Sequence, residues 1–178
     1  MGRFISIIIS GRPKSGKSTL AKMLADHYRW KKLSLGDMWR ERWKELYPNG
    51  EIPFDVFWKG TTVAANRRMN VEAKRIFEKG RIVADSRFVS YLNSRKCLLI
   101  YLTADLDTRV KRSSVGEYKG KSTAEIKRIL LKREHDEVVM GKKLFKTDYR
   151  DQEHFHMVLN SGRLTPEQEF AIVRKIMD

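Results

Sequence analysis

The feature that most limits the fold of this chain is a glycine-rich loop at residues 11–18. Its sequence, Gly-Arg-Pro-Lys-Ser-Gly-Lys-Ser, matches the pattern G-x-x-x-x-G-K-[ST] at every fixed position. An apolar, β-branched run at residues 3–10 precedes the loop, and an amphipathic helical pattern at residues 18–30 follows it. A loop between a strand and a helix N-terminus presents backbone N–H groups to phosphate. The sequence therefore predicts a site for the phosphates of a nucleoside triphosphate.

The polar residues of the loop have separate expected roles. The ammonium of Lys17 would reach the β and γ phosphates, and the hydroxyl of Ser18 would ligate Mg²⁺. The other nucleotide-binding residues expected here are Gly11, Arg12, Pro13, Lys14, Ser15, Gly16 and Thr19. This pattern does not by itself separate kinases from motors or switches.

Strand-like and helix-like segments alternate along the chain. Strands are predicted at residues 3–10, 32–35, 81–84, 96–102 and 155–159. Helices are predicted at 18–30, 37–46, 106–112 and 122–139, as one or two helices at 54–78, as a short turn at 89–93, and after a capping box at 165–168. In 54–78 the expected inward positions are Ala64, Ala65, Met69, Ala73 and Phe77, with Gly80 as the terminating cap. The alternation predicts an α/β fold, a three-layer α/β/α sandwich with a five-stranded parallel sheet.

The charge of the chain indicates an anionic partner. Lysine and arginine number 37 against 22 aspartates and glutamates, which gives +15 over 178 residues. A small phosphate site needs fewer cations than this, so nucleic acid is a second candidate partner of the basic surface. The apolar runs are far shorter than a membrane span, and the single cysteine, Cys97, excludes an internal disulfide. We therefore expect a cytoplasmic protein with no membrane contact, as a monomer or a homodimer.

Polar turns follow two of the predicted strands. The second strand leads into a turn that contains Ser34, Gly36, Asp37 and Arg40, and the third leads into Asp85-Ser86-Arg87. The carboxyl ends of parallel strands meet at one edge of the sheet, where ligands bind. Guanidinium groups at two neighbouring strand ends can therefore clamp a second phosphate group.

These segments, in this order, resemble the motifs of nucleoside monophosphate kinases, and most closely those of the cytidylate kinase family. The resemblance also includes Arg133-Glu134, Tyr149 and the stretch at residues 156–167. It implies a single P-loop kinase domain at 1–178, with an NMP-binding lobe at about 37–80 and a mobile lid at about 113–150. The implied activity is transfer of the γ-phosphoryl group of ATP to a pyrimidine (deoxy)nucleoside monophosphate, CMP or dCMP first, with Mg²⁺.

The resemblance also implies roles for individual residues. The catalytic residues would be Lys17, Asp85, Arg109, Arg112 and Arg133. The adenine of ATP would lie near Asn160 and Gly162. The acceptor would contact Ser34, Gly36, Asp37, Arg40, Asn66, Asn70 and Arg87. Asp85 would assist Ser18 at the metal.

Three positions depart from the family pattern. Family members commonly carry an arginine near the position of Met140, where Met140-Gly141 supplies no charge. Lys142, Lys143 or Lys14 would have to substitute for it, or turnover would be slow. Asn66 and Asn70 lie where family members often have acidic residues that bind the cytosine amino group. Because an amide both donates and accepts hydrogen bonds, these residues do not determine which base is bound.

Two alternative functions stay open on the sequence. One is an ATP-binding, nucleic-acid-associated regulatory protein with weak kinase activity, which the charge and Met140 motivate. The other is a kinase of another small molecule or of a polynucleotide 5′ end. A free hydroxyl acceptor would need a carboxylate base, for which Asp37 is the candidate after the second strand.

Overall fold

The computed structural model describes residues 4–87 and 96–178. Its strands are β1 (Ser6–Gly11), β2 (Lys31–Ser34), β3 (Ile82–Asp85), β4 (Cys97–Thr103) and β5 (Met157–Asn160). Its helices are α1 (Lys17–Tyr28), α2 (Leu35–Leu46), α3 (Phe54–Lys59), α4 (Val63–Glu78), α5 (Leu106–Ser114), α6 (Thr123–Phe145) and α7 (Pro166–Met177). The helical turn predicted at residues 89–93 lies outside the described residues.

The five strands form one parallel sheet in the order β2-β3-β1-β4-β5. This confirms the predicted sheet. β1 lies at its centre, where it pairs with β3 on one side and β4 on the other. All five carboxyl ends lie at one edge, so the glycine-rich loop after β1 is flanked by the ends of β3 and β4. The register places Ser34 beside Asp85 and Thr103 beside Asn160 at that edge.

Apolar layers cover both faces of the sheet. On one face, Ile7, Ile9 and Ile100 pack with α1 and α7 through residues such as Leu24 and Val173. On the other face, β1, β3 and β4 pack with α4 through residues that include Ile8, Ala84, Leu99, Ala73 and Phe77. Because β1 is buried on both sides, its sequence is continuously apolar instead of alternating. The three-layer architecture is therefore the predicted one.

The segment at residues 54–78 differs from the prediction in its buried face. It forms two helices, and Gly60 caps the first of them. Ala73 and Phe77 are buried as predicted, but Ala64 is exposed, so that assignment is wrong. Asn66 and Asn70 complete the buried face of α4. Asn66 is four residues before Asn70, and Asn70 is three residues before Ala73, which is the spacing of one helix face. The expected cap at Gly80 is confirmed by its φ of +73°.

Helix α6 extends past its predicted end at residue 139 to Phe145. Its buried positions continue through Val138, Gly141 and Leu144, so packing holds the last turns in place despite the glycine. A capping box of Ser122 and Glu125 fixes its start. None of the helices in the described part of the chain is both long and apolar enough to cross a membrane.

Candidate active site

The glycine-rich loop takes a conformation that requires glycine at two positions. Gly11 has a φ of +144°, and a Cβ there would lie 2.1 Å from the carbonyl oxygen of Leu102. Gly16 has a φ of +92° and leads directly into α1. Residues without a Cβ adopt these angles at little cost. The loop therefore closes tightly over the end of β1 and presents the N-terminus of α1 at the carboxyl edge of the sheet.

Lys17 lies inside this loop. Its side chain is buried, and its Nζ donates a hydrogen bond to the carbonyl oxygen of Arg12 at 2.9 Å. Burial lowers the pKa of Lys17 to about 7, and the positive charge of Arg87 contributes in the same direction. Keeping the buried Lys17 side chain charged therefore costs free energy, and an anionic ligand in the loop would reduce that cost.

Ser18 and Asp85 supply adjacent oxygen atoms. The Oγ of Ser18 donates a hydrogen bond to Oδ2 of Asp85 at 2.5 Å. A hydroxyl and a carboxylate at the end of β3 are hard oxygen ligands, the kind that Mg²⁺ takes together with water and phosphate oxygens. The two residues therefore fit a magnesium ion. Among the described residues, no group of three or more histidines, cysteines or acidic residues could hold a metal by itself.

One carboxylate holds two of the predicted phosphate-binding arginines. Oε2 of Glu137 lies 2.7 Å from Nε of Arg87, and its Oε1 lies 3.1 Å from Nε of Arg133. The hydroxyl of Tyr149 donates to the same carboxylate at 3.4 Å. The structure thus brings Arg87, after β3, and Arg133, in α6, to one point beside the loop.

A second carboxylate, that of Glu134, holds three more arginines. Its Oε1 lies 3.5 Å from Nε of Arg12 and 3.7 Å from Nη1 of Arg150. Its Oε2 accepts a hydrogen bond from Nη1 of Arg109 at 3.2 Å. Arg109 is only 1% exposed, so it lies behind Glu134 and not in an open cleft. The structure therefore separates Arg109 from the other arginines expected to face the nucleotide.

Glu117 completes this set of acidic residues. It lies 2.6 Å from Nζ of Lys14 and 3.8 Å from Nη1 of Arg133. Sequence reasoning did not select Glu117, Glu137 or Arg150. The i,i+4 spacing of Arg133 and Glu137 is a local signal for their pairing. The contacts to the glycine-rich loop join residues far apart in the chain and leave no such signal.

The turn after β5 lies against the loop. Arg112 donates from Nη1 to Oγ of Ser161 at 3.0 Å and from Nη2 to the carbonyl oxygen of Ser161 at 2.5 Å. It also reaches the carbonyl oxygen of Lys14 at 3.4 Å. Within the turn, Oδ1 of Asn160 accepts a hydrogen bond from the N–H of Gly162. Arg112, Asn160 and Gly162 are therefore neighbours of the loop.

The predicted acceptor residues begin at the end of β2. Ser34 caps α2 by accepting the N–H of Asp37 at 3.2 Å. Arg40 lies over the ring of Phe54, with Nη1 3.3 Å from Oδ1 of Asp37. Gly36 is beside it, since a Cβ there would lie 3.2 Å from Nη1 of Arg40. Arg40 and Arg87 thus follow neighbouring strands at the same edge.

Asn66 and Asn70 are almost fully buried. The amide nitrogen of Asn66 donates to Oγ1 of Thr61 and to the carbonyl oxygen of Thr62, and that of Asn70 donates to the carbonyl oxygen of Asn66. A backbone carbonyl only accepts, so these bonds fix which side-chain atom is nitrogen. Both Oδ1 atoms have no hydrogen-bond partner among the described residues. Buried acceptors without partners are uncommon in folded proteins, so each of these oxygens needs a partner such as a water molecule or a ligand.

Glu169, in the first turns of α7, should make stability depend on pH. Burial raises its pKa from 4.5 to about 7. The folded state therefore binds this proton more tightly than the unfolded state, and the stabilisation is present below pH 4.5 and lost as the pH rises through 7. As the pH rises from 5 to 8, the free energy of unfolding of Glu169→Gln should increase by ~1–3 kcal/mol relative to that of the native chain. Urea unfolding at each pH measures this difference.

Glu167 provides the matched control for this measurement. It is exposed, and hydrogen bonds at the helix start lower its pKa. Glu167→Gln should give no gain at pH 8. An equal gain from both substitutions would show that net charge, and not burial of Glu169, sets the pH dependence.

The central strand of this sheet ends in a glycine-rich loop, and several arginines lie around that loop. This arrangement defines a phosphotransferase of the P-loop kinase class. Solved structures share the fold: an uncharacterised protein from Eubacterium ventriosum has a TM-score of 0.69 at 18% identity, with 98% of both chains covered. Shikimate kinase from Bacteroides thetaiotaomicron has a TM-score of 0.59 at 17% identity, with 97% of both chains covered.

The chain belongs to the cytidylate kinase-like family, whose sequence profile it matches over residues 61–163. It is 24% identical over 186 residues to the cytidylate kinase of Methanopyrus kandleri, with 98% of this chain and 93% of that one covered. It is 29% identical over 178 residues to the cytidylate kinase of Sulfolobus acidocaldarius, with 95% and 92% covered. The protein is therefore a nucleoside monophosphate kinase, a class that takes its phosphoryl group from ATP.

Proposed function

We propose that this kinase phosphorylates CMP or dCMP, with ATP and Mg²⁺ as donor and cofactor. An oxygen of the acceptor phosphate forms a bond to the γ phosphorus, and the bond from that phosphorus to the β-γ bridging oxygen breaks. The bonding electrons stay with ADP, and the products are ADP and the (deoxy)cytidine diphosphate. No strong base is required, because the acceptor is already an anion and the reaction depends on positioning and on cations.

The observation that carries the proposal is the convergence of cations from separate elements on the glycine-rich loop. Lys17 comes from the loop, Arg87 from the end of β3 and Arg133 from α6, and Glu137 joins the last two. In the proposal, the loop and Lys17 hold ATP. Arg87 and Arg40 hold the phosphate of the acceptor. Arg133 neutralises charge on the group that moves.

The remaining site residues take supporting roles in the proposal. Arg112 keeps the turn that contains Asn160 and Gly162 against the loop, where adenine would lie. Arg109 supports Glu134 from behind and is a positioning residue. Ser18 and Asp85 would hold Mg²⁺, which would neutralise negative charge on the phosphates. Residues 37–80 form the acceptor lobe and residues 113–150 form the lid.

The preference for cytosine rests on the two buried amide oxygens of α4. α4 leads into β3, so its N-terminal half, with Asn66 and Asn70, lies toward the carboxyl edge of the sheet. Each free Oδ1 can accept a hydrogen bond. The exocyclic amino group of cytosine donates two, whereas the corresponding oxygen of uracil or thymine donates none. Both acceptors are already buried and unpaired in the free protein, so a base that donates to them gains hydrogen bonds that uracil or thymine cannot make.

The test is ADP release from MgATP with CMP, dCMP, UMP, dTMP, AMP and GMP added singly. We expect CMP and dCMP to give the highest kcat/KM. Asn70→Ala should lower kcat/KM for CMP by about 10-fold or more and narrow the gap to UMP. Val71→Ala, at an exposed position of the same helix, is the control. A kinase that prefers UMP, or an Asn70→Ala variant with unchanged CMP selectivity, would contradict the proposal.

Arg87 should affect the acceptor more than ATP. Arg87→Ala removes a guanidinium that the proposal places on the acceptor phosphate, so we expect the KM for CMP to rise about 10-fold or more and the KM for ATP less than threefold. Steady-state kinetics with each substrate varied in turn measures both values. Equal increases would show that Arg87 does not bind the acceptor.

A contact between nucleic acid and the basic surface stays a prediction. On α4, Arg67, Arg68 and Arg75 are exposed and form no ion pair with the residues that the structure describes. Such cations would give oligonucleotide binding that weakens steeply with salt. Fluorescence anisotropy with a labelled oligonucleotide at rising salt measures it, and absence of binding at low salt would exclude it. The proposal also includes a cytoplasmic location, which suits the free, buried thiol of Cys97.

A further inference from the structure

The segment after α6 brings one more arginine to the glycine-rich loop. Nη1 of Arg150 lies 3.7 Å from Oε1 of Glu134, and Nε of Arg12, a loop residue, lies 3.5 Å from the same oxygen. The side chain of Arg12 is 39% exposed and that of Arg150 is 38% exposed. Two guanidinium groups thus share one carboxylate oxygen, and both keep part of their surface open to an anion.

The guanidinium of Arg150 is held in a fixed orientation. Its Nε donates to Oδ1 of Asp148 at 3.0 Å, and its Nη2 donates to Oδ2 at 2.7 Å. This two-pronged pairing lowers the pKa of Asp148 to about 2. The neighbouring Tyr149 is buried against Tyr101 and Val138, which anchors the segment to β4 and α6. Only Nη1 is left to point at Glu134, so the arginine is organised before any ligand binds.

The lysines that could supply the charge missing at Met140 are placed less well. The stripe of α6 that carries Arg133 and Glu137 continues at Met140 and Leu144, which are uncharged. The side chain of Lys142 is 62% exposed and lies 3.9 Å from Asp148. Lys143 is exposed, and Lys14 is paired with Glu117 at 2.6 Å. Arg150, in contrast, reaches Glu134, the carboxylate that also pairs with Arg12 of the loop.

We propose that Arg150, together with Arg12, binds the phosphoryl group that ATP transfers, and that Glu134 positions the two arginines for it. This rests on the proposed kinase reaction. In the free protein Glu134 pairs with both guanidinium groups and leaves net positive charge there. When ATP binds to the loop, its terminal phosphate contacts the exposed parts of the guanidinium groups of Arg12 and Arg150. Arg150 thereby supplies the charge that Met140 does not.

The test compares Arg150→Ala and Arg150→Lys with Lys143→Ala, which removes the same charge from an exposed position nearby. We expect Arg150→Ala to lower kcat about 10²–10³-fold. The KM for CMP should change less than about threefold, because the acceptor is bound elsewhere. Arg150→Lys should restore little, since an ammonium cannot pair in two directions with Asp148 and still face the phosphate. Millimolar guanidinium ion should partly restore the kcat of Arg150→Ala.

A binding measurement keeps this inference separate from the kinase proposal. Calorimetry with inorganic tripolyphosphate needs no acceptor and no turnover, and Arg150→Ala should weaken its binding about 10-fold while Lys143→Ala does not. A wild-type chain that binds tripolyphosphate but phosphorylates no nucleotide would overturn the kinase reaction only. Equal losses of tripolyphosphate binding in Arg150→Ala and Lys143→Ala would overturn the role of Arg150. The same conclusion would follow if Arg150→Ala had a lower melting temperature but native kcat and no guanidinium rescue.

Discussion

Replacing Lys17 with alanine is expected to abolish phosphoryl transfer and to leave the fold intact. Nζ of Lys17 lies within the glycine-rich loop, at the point where the phosphates of ATP would bind. Loss of a single preorganised charge at such a point costs about 10³-fold in kcat. The native structure already holds this ammonium against desolvation, as its pKa of about 7 indicates. Its removal should therefore not lower the melting temperature.

The matched control for Lys17 is Lys22 in the same helix. Lys22 is exposed and pairs with Asp26 one turn later. Lys22→Ala removes an equal charge and should retain the native kcat and KM values. Steady-state kinetics and thermal unfolding of both variants measure the effect. Unchanged turnover in Lys17→Ala would mean that the loop does not bind the phosphates of ATP.

Replacing Glu134 with alanine should produce the largest loss of stability. Glu134 is buried, and it is the ion-pair partner of Arg109, whose side chain is 1% exposed. Removal of one member of a buried pair leaves the other charge uncompensated, at a cost of about 3–5 kcal/mol. We expect a loss of this size in urea unfolding. Catalysis should fall as well, because Arg12 and Arg150 lose their shared carboxylate.

The control for Glu134 is Asp136, two residues later in α6. Its carboxylate pairs with Lys132 at 3.6 Å, and its side chain is 45% exposed. An exposed pair of this kind contributes at most about 1 kcal/mol. Asp136→Ala should therefore unfold near the native urea concentration. If both variants lose the same stability, Glu134 does not stabilise Arg109 in the way that the geometry indicates.

The sheet could be predicted from the sequence because its determinants are local. A buried parallel strand such as β1 is continuously apolar, and each strand is followed by a turn or a helix signal. The glycine-rich loop was predictable because its chemistry fixes glycine at two positions. The prediction is wrong at one helix face: apolar character predicts that Ala64 points inward, whereas the buried face of α4 includes two asparagines.

The site could be predicted only in part, because its pairing is non-local. Arg40, Arg87 and Arg112 could be predicted because each follows a strand or resembles a motif position. Glu117 could not be predicted, since its partner in the loop, Lys14, lies far away in the chain. Arg150 could not be predicted either, because it is linked to the loop through Glu134. The burial of Arg109 was also missed, because nothing in the sequence near it shows that Glu134 covers it.

Local opening of the sheet should be unequal, because its strands are not equally held. β1 pairs with β4 along its whole length and with β3 through residues 7–9, whereas β2 pairs with β3 alone at the edge. In deuterated water the amides of β1 should exchange last and those of β2 early. A protein molecule that opens transiently therefore releases the β2 edge, with Ser34 and the start of α2, while the glycine-rich loop keeps its shape. Such a partly opened kinase would still retain ATP after it has lost the acceptor.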